Sequence, residues 1–184
     1  TVFGANGAIY AIRREQLSAL PTQNIVIDDF VIPMRIVRAG YEVAYEKDAL
    51  VWEYTSPDVR SEFQRKVRIG AGNFHGLREI LPLLNPLRGF VAFGLWSHKV
   101  IRWIVPFLLI GAFIANFLLR GGAFYDALLA VQSIFYGLVI LAWILDRFNI
   151  HIRWLIYPYY FIAANLALLI GFFKFLMKSQ KPAW

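Results

Sequence analysis

Three stretches without a single charged side chain, residues 103–119, 127–145 and 154–173, limit what this chain can become. Roughly 20 apolar residues in a helix cover the hydrocarbon layer of a bilayer, and each stretch approaches or reaches that length. Inside lipid the backbone must satisfy its own hydrogen bonds, so such stretches are helical. Any one of them could be the core helix of a soluble domain. Three in succession, joined only by Gly121-Gly122 and residues 146–153, predict a membrane region of about three helices over 103–184.

Charge supports that division. The chain has 184 residues, is 59% hydrophobic and 17% charged, and carries a net charge of +7. Residues 1–88 are nearly balanced, whereas 89–184 hold eight Lys/Arg and two Asp/Glu. Bases flanking apolar segments orient them and contact lipid headgroups, so the positive balance points to membrane lipids and away from nucleic acid. Cysteine is absent, which excludes disulfides, thiolate catalysis and thiolate metal sites. Residues 87–96 are apolar but too short to span. Residues 97–103 (Ser-His-Lys-Val-Ile-Arg-Trp) mix bases with an indole, as at a membrane–water interface, and predict an interfacial helix over 89–102.

Orientation follows less simply. A cytoplasmic position for residues 1–102 also keeps Arg147 and Arg153 inside, as the positive-inside rule requires. Three full crossings then carry Lys174, Lys178 and Lys181 outside, against it. Either one segment does not cross fully or the rule is overridden.

The first 88 residues have a different grain. Gly4-Ala5-Asn6-Gly7-Ala8 is rich in small residues and precedes an apolar run, 9–12. Its glycines permit a tight turn or a close backbone approach to a ligand, but the dinucleotide spacing G-x-G-x-x-G is absent. After a loop containing Pro21, Asp28-Asp29 stand at the start of an apolar-periodic stretch closed by Gly40. Pro33 suits the first turn of that helix and Gly40 a left-handed stop. The exposed N–H groups of a helix start favour negative charge there, so one aspartate could simply be the N-cap. Residues 41–46 alternate apolar and polar and 49–52 are β-prone, predicting two strands. Ser56-Pro57-Asp58 signals a further helix reaching about residue 80, on which Arg65 and Arg68 share a face.

Together these pieces resemble the membrane-integrated family 2 glycosyltransferases, the cellulose and hyaluronan synthase-like superfamily. The residues that carry the likeness are 4–14 (Gly-Ala-Asn-Gly-Ala-Ile-Tyr-Ala-Ile-Arg-Arg), Asp28-Asp29, 40–43 (Gly-Tyr-Glu-Val) and 65–68. Ile27-Asp28-Asp29 falls where the family has Thr-Glu-Asp, which implies Asp29 as general base beside Asp28. The family's Gln-x-x-Arg-Trp falls on residues 65–69, implying Arg68, with Arg65, as ligands of the donor diphosphate. Arg65 stands in place of the glutamine and Ile69 in place of the tryptophan. Gly4, Asn6 and Gly7 fall in the acceptor-site loop.

The resemblance implies an α/β fold: 1–88 as the C-terminal part of a GT-A-like nucleotide-sugar domain, followed by the helical membrane region. It implies a nucleotide-sugar donor and a polysaccharide or lipid-linked acceptor. It also implies a divalent cation, Mg or Mn, with its acidic ligands upstream of this region and none in this chain. The expected setting is a bacterial inner membrane, with the catalytic part cytoplasmic. As given, the chain reads as a fragment lacking the donor-binding half and inactive alone. The competing reading is a non-catalytic membrane subunit or truncated remnant. A transporter fits less well, because the last two apolar segments hold no central charge.

Overall fold

The computed structural model describes residues 4–5, 7–19, 27–52 and 59–179. Asn6, the Pro21 loop, the Ser56-Pro57-Asp58 signal and Lys181 lie outside them. Six α-helices run through the described residues: α1 (Asp28–Arg38), α2 (Val59–Ile80), α3 (Phe90–Leu95), α4 (Ile101–Leu118), α5 (Ala123–Arg147) and α6 (Arg153–Leu176). Short 3-10 turns occupy Arg14–Ala19, Leu81–Leu83 and Pro86–Arg88.

The expected α/β fold is not what forms. No strand is present among the described residues; Ile9 makes an isolated bridge and nothing more. Residues 41–46 and 49–52, with their strand-like pattern, belong to no helix or strand. A strand is held by its neighbour's N–H and C=O groups, and alternation alone supplies no partner. Here Val43 packs on the core, and most of the other side chains stand in solvent, with Tyr45 80% and Trp52 94% exposed.

The helix after the aspartates forms as its sequence dictates, with two differences. Its N-cap is Ile27, with no side-chain cap bond, so both aspartates lie in the first turn and neither caps it. Pro33 consequently sits inside the helix. The stop is as expected: Gly40 adopts φ +93°, its N–H bonds to Val37 O, and Tyr41 N–H bonds to Ile36 O. That pair of bonds is the Schellman closure.

Residues 90–118 form one continuous helical stretch, in which α3 passes into α4 through a π turn, Trp96–Val100. Ile101 N–H reaches back to Trp96 O, the five-residue bond that defines such a turn. With α5 and α6 this makes three helices long and apolar enough to cross a membrane. Asn116 on α4 donates to Gln132 on α5 at 2.8 Å, joining two of them by a polar bond.

One apolar core ties both halves together. Phe30, Val31, Met34 and Val37 of α1 cluster with Phe74 and Ile80 of α2, Leu83, Leu84 and Leu95, and Val100 and Trp103 of the long helix. Phe172 and Phe175 of α6 pack on the same cluster. Small residues let the backbones meet: a Cβ on Gly76 would lie 3.2 Å from the Phe30 ring. A Cβ on Gly171 of α6 would lie 2.7 Å from Ala71 N and 2.8 Å from Val67 O. Small residues at helix crossings are how apolar helices gain close van der Waals contact. On the rim, Arg35 binds Glu79 at 2.6 Å and Arg38 reaches the same carboxylate at 3.6 Å.

Candidate functional site

The proline inside α1 organises the site. Lacking an N–H, Pro33 leaves the carbonyl four residues earlier, that of Asp29, without its helical donor. The backbone N–H of Ala5 takes that place at 2.7 Å. The small-residue loop is thereby fastened across the first turn of the helix. Gly4 turns there with φ +131°, and a Cβ on it would stand 3.7 Å from Asp29 O. A Cβ on Gly7 would lie 3.0 Å from Asp29 Oδ2, so the carboxylate rests almost against bare backbone. Tyr10 donates its hydroxyl to Asp28 Oδ2 at 3.1 Å. The two carboxylates therefore have different neighbours.

Their electrostatics differ accordingly. Asp29 is half-buried, and burial, followed by the charge of Asp28, raises its pKa above the ordinary aspartate value. Lys99 pulls the other way, as do the backbone N–H groups of Phe30 and of Asp29 itself. Lys99 comes from the π turn, and its Nζ sits 4.7 Å from the centroid of the Phe30 ring. Trp103, one turn further on, meets the same ring edge-on at 6.0 Å. The hydroxyl of Tyr10 is pushed up by burial and by its bond to Asp28.

Gly4, Gly7, Asp28 and Asp29 are thus brought together, and Asn6 lies outside the described residues. The two arginines are not part of this group. Arg65 turns back along α2 to Glu62, through Nε at 2.9 Å and Nη2 at 3.2 Å. Arg68 is exposed, about two turns and some 12 Å of helical rise before Gly76, where Phe30 lands. Lys99 and Tyr10 enter the site although the sequence did not mark them as site residues. Lys99 lies among residues whose mix of bases and indole suits a bilayer surface, and only the fold carries it to Asp29.

A divalent cation finds no donor set here. Among the described residues no three His, Asp or Glu side chains converge, and the aspartate pair is flanked by a hydroxyl and an ammonium.

A half-buried carboxylate of raised pKa, held against an open glycine loop, is suited to taking a proton from a hydroxyl. The match to a known family covers nearly the whole chain: residues 1–174 fit the model described as glycosyl transferase family group 2. This chain belongs to that family. It is also similar to the O-antigen chain rhamnosyltransferase RfbN of Salmonella typhimurium, with 37% identity over 78 residues. That match covers 41% of this chain and 24% of the relative, so the aligned part spans about a quarter of the relative's length. No solved structure matches.

Proposed function

We propose that this chain supplies the acceptor-side base and the membrane anchor of a glycosyltransferase. The enzyme moves a sugar from a nucleotide-diphosphate donor to a polysaccharide or lipid-linked acceptor at the inner face of a bacterial inner membrane. The observation that carries this reading is Asp29: half-buried, backed by Gly7, tied to the loop through Ala5, in a chain of this family. The O-antigen relative favours a bacterial surface polysaccharide as the acceptor class.

The chemistry is one displacement. The acceptor hydroxyl oxygen attacks the anomeric carbon, the bond from that carbon to the diphosphate breaks, and the diphosphate leaves with the electron pair. Asp29 takes the hydroxyl proton, and Asp28, bonded to Tyr10, stays beside it. Arg68 is the diphosphate ligand in this reading, its exposed guanidinium suited to charge-assisted bonds with phosphate oxygens.

The test compares Asp28→Asn with Asp29→Asn in membranes carrying the full-length protein, at saturating nucleotide sugar. Loss of a general base costs about 10²–10⁴-fold in rate. Asp29→Asn is expected to lose turnover on that scale while donor affinity holds. Wild-type turnover in Asp29→Asn would overturn the assignment, and activity in both variants would reduce the pair to first-turn dipole partners.

A further inference from the structure

We propose that Lys99, carried by the π turn within the first membrane-length helix, is the positioning residue for the Asp29 carboxylate. The inference rests on Asp29 being the base, and it adds a residue whose sequence surroundings suggested only lipid contact.

The geometry is specific. Phe30 follows Asp29 in the chain and is 96% removed from solvent, with 4% exposure remaining. Its ring is held on one side by Trp103, edge-on at 6.0 Å, and faces Lys99 Nζ at 4.7 Å. Lys99 and Trp103 are four residues apart, so they project from one face of the helix and grip the same ring. A shift of that helix is therefore felt at the first turn of α1, where the carboxylate sits. The π turn widens the helix within the segment that ends at Val100, and such bulges recur at functional sites.

The charges agree with the geometry. The groups acting on Asp29 are Asp28 from α1, which Tyr10 bonds, and Lys99 from the π turn; Arg102 in turn acts on Lys99. Lys99 opposes both burial and Asp28, favouring the ionised carboxylate. A cation in that place favours the ionised form of the base, together with the backbone N–H groups of Phe30 and Asp29.

The experiment measures the pH dependence of kcat in full-length protein for wild type, Lys99→Met, Lys99→Arg and Asp29→Asn. Methionine keeps an apolar stem over the Phe30 ring and removes the charge. The expected result is an acid limb moved to higher pH in Lys99→Met, returned towards wild type in Lys99→Arg, with the KM for donor unchanged. An unmoved acid limb in Lys99→Met, or a dead variant that arginine does not rescue, overturns the proposal. Asp29→Asn separates the two ideas: if it retains turnover, the base assignment has failed. If it is inactive while Lys99→Met keeps the wild-type profile, only the role of Lys99 has failed.

Discussion

The N–H of Ala5 donates across 2.7 Å to a carbonyl that Pro33 cannot serve. Pro33→Ala offers that carbonyl an intrahelical donor and removes a helix-interior penalty of about 3 kcal/mol. The loop then competes with α1 for one acceptor. The expected outcome is a melting temperature that holds or rises while kcat falls. Circular dichroism melts in detergent beside transfer assays check it, and parallel loss of both would contradict it.

Gly7→Ala tests the other contact of that loop. Its Cβ would press on Asp29 Oδ2 at 3.0 Å, so the carboxylate must turn aside. Turnover is expected to drop with little change in stability, because the loop lies on the surface. Equal rates for Gly7→Ala and wild type would show that the carboxylate works elsewhere.

The rate should depend on pH with a defined sign. Asp29 must be ionised to accept a proton, and its pKa is raised by burial and by Asp28. The acid limb therefore lies above the range of an ordinary aspartate, and activity is lost as pH falls through it. Asp28→Asn removes the like charge and should move the limb to lower pH. A limb that moves up in that variant would mean Asp28 does not act on Asp29 as a charge.

Gly171 lies so close to α2 that even a methyl group must displace backbone. Overpacking of this kind costs typically about 1–3 kcal/mol. Gly171→Ala should lower the unfolding midpoint, whereas Gly111→Ala, with open space around it, should not. Equal midpoints would show that α2 and α6 are not in backbone contact.

Phe172 of α6 meets both Phe74 of α2 and Phe107 of α4, at 5.1 and 5.0 Å. The C-terminal half of α6 thus packs beside the N-terminal part of α4. Single cysteines at His98 and Ser179, both exposed, should accordingly label from the same side of the membrane. Labelling from opposite sides would show that α6 leaves α4 and α2 behind.

Much of this was legible in the sequence, and the rest was hidden for identifiable reasons. The three apolar segments fall within α4, α5 and α6 but for Leu119, which follows α4, because long uncharged runs leave the backbone little alternative to helix. Gly40 closes α1 because few residues other than glycine take its φ cheaply. Alternation in 41–46 misled, since a period of two describes a strand's faces and says nothing of a partner to pair with. Lys99 escaped because its contact with Phe30 joins residues far apart in sequence, and no local pattern reports that. Arg65 and Arg68 share a face by spacing, and spacing alone does not report that Arg65 bonds Glu62, three residues before it.

Gly70 of α2 packs against Leu168, so a helix made early is completed by one made late. At about 5–20 residues per second, the ribosome needs on the order of 5–20 s to make the chain between them. Through that interval the glycine-lined face of α2 has no cover, and the ring cluster around Phe74 lacks Phe172 and Phe175. The support beneath Asp29 is finished only when α6 has been made and packed against α2. A chain interrupted within α6 would keep its aspartates and lose the floor they stand on, so the site is completed only by the last helix to leave the ribosome.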